Sequence, residues 1–558
     1  MPGFHMEHFG CRAARADGEA VGDRLRAAGL SEQPPTAADL VVVNTCSVTA
    51  EADRSARAFI RRAHRLNPEA RIVVTGCYAQ RAPEELAGLA GVAAVVGNSH
   101  KALAPEIILR LAGTSFGSDS RLSGGRSGAV GRDFSPGKAP ADSMRALAPE
   151  ACFSGDLSAI HPSSDENADQ SRLISVQSLL AGGAPHQVPI WADDRFAHSF
   201  LEEAQLAPGA QTRPNLKIQE GCGNRCTFCV IPQTRGSSKS LPAEAVLRQV
   251  EGFMAAGGNE LVLSGINLGR WGRDLSGSAG GENRIEAAGF PPLRREEIAR
   301  MGHGTSSGNP VLRTLAGLVR WILEQTTLPR LRLSSIEPMD WGAELIGLMA
   351  EFGGNRLARH AHLPLQSGSD AVLRRMHRRY RPWHYVEKVE ALLRAAGPEL
   401  TLGADVMVGF PGETEAEFEE TRTLIEALPF GYLHLFPFSP RPGTPGWALH
   451  AAAPVPAAVV EQRMAALRAL ASHKSQTHRK RFIGKELEAI TLHTPPDLQA
   501  RVRTAAMTEN FLPVEIEGRL KANRLLRVRV TRLTTEGTLE AALGPAEQPQ
   551  YEAASMSV

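Results

Sequence analysis

Two local patterns alternate from residue 40 onward, and that alternation narrows the folds open to the chain. Residues 40–44 (LVVVN) form an apolar run of strand length. After a turn at 45–48 comes TAEADRSARAFIRRAHRLNP, where Thr49 suits a helix N-cap, Glu51 and Asp53 suit the positive first turn, and Pro68 ends the pattern. Residues 71–75 (RIVVT) read as a second strand, and a helix opens at Pro83 (PEELAGL). Strands alternating with helices predict a parallel sheet covered on both faces, so residues 1–112 are expected to form a doubly wound α/β domain.

A length of 558 residues predicts three to four domains. Residues 113–171 lose all periodicity and turn to Gly, Ser, Pro, Asp and Ala, which reads as part of an insertion or linker over 113–212. Between 213 and 455 strands and helices alternate again, with strand-like runs at 260–263, 331–334 and 406–409. That length suits a partial or complete β/α barrel, interrupted by a loop at about 272–309. A basic helical connector is expected over 456–483. The alternation in LLRVRVTRL predicts a small antiparallel β-barrel over 484–546.

Lys and Arg number 62 against 60 Asp and Glu, so no whole-molecule field drives binding to a polyanion and any such site must be a local patch. No run approaches the ~18 apolar residues of a membrane span, and the start lacks a basic region followed by an apolar one; a cytoplasmic protein without a membrane partner is expected.

Six of the seven cysteines fall into two triads. Cys222, Cys226 and Cys229 form C-x3-C-x2-C, three thiolates on one tight loop with no fourth ligand nearby. An iron–sulfur cluster so held keeps one iron open, whereas a structural zinc loop, the alternative reading, wants four ligands. Cys11, Cys46 and Cys77 lie far apart in sequence, yet each follows a predicted strand, and loops at strand carboxyl ends converge on one edge of a parallel sheet. Three independent buried thiols are the alternative. Cys152 lies in the low-complexity insertion and reads as an incidental thiol.

EGCGNRCTFCVIPQTRG resembles the cluster signature of radical S-adenosylmethionine enzymes of the methylthiotransferase family. FGCR, VVNTCSVTAEAD and VVTGCYAQ resemble that family's amino-terminal domain, and LVLSGINLGRWGRDL, LRLSSIEPMDW, HLPLQSGSDAVLRRMHRRY and LGADVMVGFPGETEAEFEET match in order. TENFLPV resembles its RNA-binding TRAM domain. Arg12-Ala13-Ala14 departs from the family, which usually carries an Asn shortly after the first cysteine. NTCSVTAEAD, TGCYAQ, GINLGRWG and SSIEP are similar to the branch that modifies N6-threonylcarbamoyladenosine at position 37, in the anticodon loop of transfer RNA. The two other branches act on N6-isopentenyladenosine and on an aspartate of a ribosomal protein.

The resemblance implies two [4Fe–4S] clusters and S-adenosylmethionine, a low-potential electron donor and a sulfur donor. Cys222, Cys226 and Cys229 would carry the catalytic cluster, at which reductive cleavage of S-adenosylmethionine yields the radical that activates C2 of adenine. Cys11, Cys46 and Cys77 would carry the cluster whose sulfur is methylated and transferred.

Candidate cofactor contacts are Phe228, Ser264, Gly265, Ser335, Glu337, Gln366, Asp405 and Gly409, on or beside strand ends; ordinary strand-end structure is the alternative for each. Glu413 and Glu415 read as helix N-terminal charges. Candidate RNA contacts are Arg374, Arg375, Arg378, Arg379 and Tyr380, near Arg381, His377 and Trp383, and a second group of Lys474, Arg479, Lys480 and Arg481; a solvated helix face is the alternative. The rival from another class is a non-catalytic iron–sulfur protein that binds RNA or senses redox state.

Overall fold

The computed structural model describes residues 2–113, 188–194, 211–276 and 313–544, together with 196, 201 and 206. Strands β1 (Gly3–His8), β2 (Ser31–Glu32), β3 (Leu40–Thr45), β4 (Arg71–Gly76), β5 (Val92–Gly97) and β6 (Ile190–Trp191) form one parallel sheet in the order β2-β1-β3-β4-β5-β6. Side chains alternate across a strand, so one apolar run serves two cores. Leu40, Val42 and Val73 pack in one core with residues of α1 (Arg12–Ala27) and α5 (Ala104–Leu111). Val41, Val43, Ile72 and Val74 pack in the other with residues of α2 (Ala50–Leu66), α3 (Cys77–Arg81) and α4 (Pro83–Ala87). The domain is therefore doubly wound. Thr49 caps α2 as expected, its hydroxyl accepting from the Ala52 amide at 3.2 Å.

The expected linker over 113–212 needs correction. Most of it, Cys152 included, lies outside the described residues, but β6 returns to pair with β5 and completes the amino-terminal sheet. Of the expected loop at about 272–309, residues through 276 continue in regular turns, Arg273–Ser276 forming a 3₁₀ turn.

Strands β7 (Asn215–Glu220), β9 (Glu260–Gly265) and β10 (Arg330–Leu333) pair in parallel, as do β11 (His360–His362), β12 (Thr401–Val408) and β13 (Phe430–Pro437); β8 (Lys239–Ser240) runs antiparallel to β7. Single bridges Leu331↔Leu357 and Ser335↔His362 join the two sheets. Six parallel strands thus make a partial barrel. The helix Ala457–Lys480 packs on β13 and leads to a closed barrel of β14 (Glu486–Thr491), β15 (Arg503–Thr508), β16 (Pro513–Glu517), β17 (Leu525–Leu533) and β18 (Leu539–Leu543). Its pairs are antiparallel except β16–β18, which is parallel.

That small barrel closes the amino-terminal end of the large one. Thr508 O accepts from Arg332 at 3.1 Å, Asn510 donates to Glu399 O at 3.1 Å, and Glu509 takes the Arg359 amide at 3.1 Å and its Nε at 2.9 Å. Phe511 sets its ring 4.3 Å from His360 and 5.5 Å from Tyr432. Beneath them Glu260, fully buried, binds Arg332 at 2.8 Å, Arg330 at 3.1 Å and Arg213 at 3.3 Å. Burial alone would raise Glu260; the three guanidinium groups instead hold it down, at about 2. No helix among the described residues is long and apolar enough to cross a membrane.

Candidate functional site

At the carboxyl end of β7, Gly221 takes φ +68°, and a Cβ there would lie 1.9 Å from Ser237 O, so the chain turns as only glycine allows. The loop that follows is pinned on three sides. Cys222 N donates to Gly236 O (3.1 Å), Thr227 N to Met376 O (3.2 Å), and Gly446 N to Thr227 O (2.7 Å). Cys222, Cys226 and Cys229 are therefore presented by a fixed backbone, each half-buried. Burial raises the Cys226 thiol and pushes Cys229 up to about 12; a bound metal ion would reverse that preference.

Side chains from later strand ends reach these sulfurs. Asn267 Nδ2 lies 3.6 Å from Cys222 Sγ, and its buried Oδ1 has no partner among the described residues. Arg378 donates to Cys226 Sγ at 3.4 Å and to Glu337, and lies 5.0 Å over the Tyr380 ring. Arg225, Arg270, His377 and Arg379 line the cleft beside Cys226, so its rim is cationic.

Cys11, Cys46 and Cys77 follow the adjacent strands β1, β3 and β4 and meet at one sheet edge. Gly10, at φ +112°, has room for no side chain: a Cβ would stand 2.6 Å from Cys46 Sγ. Cys11 is exposed at the rim, while Cys46 and Cys77 are buried. A hydrogen bond between Cys46 and Cys11 is the main cause that draws Cys11 down to about 6 and drives Cys46 up.

The helix α6 (Ile231–Arg235), which follows Cys229, packs on α3, which opens at Cys77, and so links the two triads. Arg235 Nε donates to Cys77 Sγ at 3.1 Å, and Asn98 Nδ2 spans Cys77 Sγ (3.4 Å) and Thr234 O (2.8 Å). Arg235 Nη1 holds Asp17 at 3.0 Å and Glu220 at 2.8 Å, and Lys101 and Lys217 contact the same two carboxylates. Burial works against both carboxylates, yet the three cations hold them below their ordinary range. Arg235 is buried and Lys101 and Lys217 mostly so, and burial draws the Lys101 ammonium below its usual range; with all three charged, two carboxylates leave one positive charge over, a costly state unless an anion faces it. Arg235 Nη2, on the same edge of the guanidinium as Nε, has no partner among the described residues. Three ligating thiolates are an anion that fits both the charge and the open donor.

The remaining candidates separate on inspection. Ser264 is buried, with Oγ 3.4 Å from Leu216 O, and Gly265 backs onto Gln219. Ser335 bridges to His362, and Phe228 packs on the barrel core. Gln366, at φ +62°, leaves Oε1 buried and without a partner among the described residues. Gly409 N donates to Glu413 at 2.8 Å; Glu413 is buried and also meets Arg463 at 3.0 Å, so it is more than a helix-end charge. Asp405 is engaged by His362 and His434, which hold its carboxyl well below the usual range although burial alone would raise it.

Several expected RNA contacts are spent elsewhere. Tyr380 is fully buried and donates to Pro364 O and Leu365 O, so its ring is closed to a base. Arg378 belongs to the Cys226 cleft, Arg375 pairs with Glu417 at 2.8 Å, and Arg374 pairs with Asp370 at 2.8 Å. Lys474 donates to Glu426 O, Arg479 to Gly537 O and Arg481 to Pro398 O, so these three brace the connector. Arg379, Lys480 and Trp383 remain exposed. Sequence reasoning missed Arg235, Asn98, Asn267 and Arg270. Their one signal was position, beside a cysteine loop or a strand end.

A family model described as "Uncharacterized protein family UPF0004" matches residues 3–97, and one described as "Radical SAM superfamily" matches residues 216–425. A Treponema pallidum protein named threonylcarbamoyladenosine tRNA methylthiotransferase MtaB is 30% identical over 563 residues, covering 97% of this chain and 100% of its own length. The Bacillus subtilis protein of that name is 29% identical over 519 residues, covering 92% and 90%. A tRNA-2-methylthio-N(6)-dimethylallyladenosine synthase of Erythrobacter litoralis is 29% identical over 497 residues, covering 88% and 86%.

Proposed function

The chain belongs to the MtaB methylthiotransferase family, and from that premise we propose that it converts N6-threonylcarbamoyladenosine at position 37 of transfer RNA to its 2-methylthio derivative. The observation that carries the reading is the pair of thiol triads joined through Arg235, whose Nε meets Cys77 Sγ at 3.1 Å at the end of the helix that follows Cys229. A single-cluster enzyme would have no use for the second triad.

Cys222, Cys226 and Cys229 would hold the [4Fe–4S] cluster that works with S-adenosylmethionine, and Cys11, Cys46 and Cys77 would hold a second cluster. Bound there, these groups supply one-electron reduction of the sulfonium and the sulfur to be transferred. The protein's part is to bind and orient. Arg378 and Asn267 donate toward the sulfurs of the first triad, Glu337 offers an acceptor beside it, and Arg235 balances the charge of the second. The cationic rim of Arg225, Arg270 and Arg379 supports an RNA substrate, with Trp383 available for stacking. A low-potential electron donor and a sulfur donor complete the scheme, which we place in the cytoplasm.

Mass spectrometry of transfer RNA nucleosides from a deletion strain and its complemented partner tests the proposal. Loss of 2-methylthio-N6-threonylcarbamoyladenosine, restored by the gene, is expected. An unchanged level would move attention to the isopentenyl nucleoside and the ribosomal protein. Cys226→Ala should abolish S-adenosylmethionine cleavage, while Cys46→Ala should spare cleavage and stop sulfur insertion.

A further inference from the structure

Inside the large barrel, three adjacent strands bring two imidazoles and a carboxylate together. Asp405 on β12 stands in register with His434 on β13, and His362 on β11 stands opposite Gly403, two residues before Asp405. Leu402, Ala404, Val406 and Val408 of β12 belong to the apolar core, so the alternation of a strand sends Asp405 to the opposite face. His362 Nε2 lies 3.1 Å from Asp405 Oδ1, His434 Nδ1 lies 3.1 Å from the same oxygen, and one donor atom from each residue falls within 4.8 Å of the others.

We propose that His362, Asp405 and His434 bind a divalent first-row transition metal, separate from either cysteine triad. Tetrahedral bonds of about 2.0 Å place neighbouring ligand atoms about 3.3 Å apart, and octahedral bonds of about 2.1 Å place them about 3.0 Å apart; the two histidine–carboxylate spacings of 3.1 Å match, and the two imidazoles, within 4.8 Å of each other, need close only slightly on an ion. The outer partners also suit a metal. Tyr432 Oη lies 2.9 Å from His362 Nδ1 and 2.8 Å from His360 Nε2, which orients the His362 ring and leaves its Nε2 toward Asp405. His362 is buried and Asp405 mostly so, but 60% of the His434 side chain is exposed. An ion bound here is therefore held from the protein side and retains open positions toward solvent. Two histidines and one carboxylate with free positions is a donor set for zinc, iron or cobalt rather than for magnesium or calcium, which prefer oxygen alone.

The test uses the full chain, purified without oxygen and with both clusters in place, so that cysteine thiolates are already occupied. Dialysis against Co2+ alone, followed by elemental analysis and visible spectroscopy, should give one equivalent of cobalt beyond the cluster iron. Its ligand-field bands should come without thiolate-to-cobalt charge transfer. Asp405→Asn and His434→Ala should each weaken that binding at least about tenfold while cluster iron and sulfide stay unchanged. His434 is exposed, so its replacement leaves the fold intact. Absence of the additional cobalt, or equal binding by both variants, would overturn the proposal and leave the trio a hydrogen-bonded pair of imidazoles on a carboxylate. The measurement involves no transfer RNA, so its failure is distinct from failure of the proposed acceptor.

Discussion

Arg235 carries more of the site than any other non-cysteine residue. Fully buried, it binds Asp17, Glu220 and Cys77, three groups drawn from both large domains. Arg235→Met strips the two carboxylates of a shared cation and should destabilise the protein by about 3–5 kcal/mol, measured by urea unfolding. Arg235→Lys, which keeps the charge but loses the side-on fork, should recover part of that loss. The cysteines were legible because the spacing of one triad and the strand-end positions of the other restrict what thiols there can do. Arg235 was not, since an arginine in IPQTRG reads like any surface charge until the facing domain buries it. Tyr380 failed in the opposite sense. A tyrosine among five arginines reads as a nucleic-acid patch, yet its place beyond the helix Asp370–Arg375 turns the ring into the core.

Among the elements, the connector helix Ala457–Lys480 shows how one buried histidine ties a helix to a barrel. His478 lies 2.9 Å from Thr401 Oγ1 at the start of β12, and burial lowers it to about 4. The unfolded chain takes up this proton near pH 6.5, while the folded one resists until about pH 4. Stability from this contact is therefore whole above pH 6.5 and falls as pH drops toward 4, by up to about 3 kcal/mol. His478→Gln should flatten that slope in pH-dependent unfolding, and the window lies above the acid loss from Glu260, which begins only below about 4.5. Strands β3 and β4 were plain in the sequence because parallel strands buried on both faces are runs of Val and Ile. β2 and β6, two residues each, carry no such run. β6 is recruited across a long insertion by pairing with β5, a non-local contact that periodicity does not encode.

At the scale of the molecule, polar contacts around Arg235, at the buried Asp53–Arg441 pair and around Glu260 lock three modules together. The sequence announced the modules but not how they dock. Asn259 and Asn523, 264 residues apart, meet with Nδ2 of Asn259 2.8 Å from Asn523 O, and nothing in either neighbourhood foretells it. TENFLPV, which resembles part of the TRAM domain, supplies residues that meet the floor of the large barrel. Arg379, beside the Cys226 cleft, and Trp383 lie exposed, and the proposed RNA contact is tested there. Trp383→Ala should weaken transfer RNA binding by about 1–3 kcal/mol at fixed salt in a filter-binding assay, without altering cleavage of S-adenosylmethionine in the absence of RNA.

The closure of that floor by Phe511 and its neighbours has a kinetic consequence. With the floor shut, cofactor and substrate must share the remaining openings at the cysteine end and along the unclosed side of the barrel, and whatever lodges deepest there should arrive first and depart last. S-adenosylmethionine, bound at the cluster cysteines, would be covered by the incoming anticodon loop, so addition should be ordered, with the small molecule leading. Each turnover that consumes a second S-adenosylmethionine would then require the RNA to lift away or shift before the next copy can pass, and steady-state rates would track the lifetime of the RNA complex more closely than the chemistry beneath it.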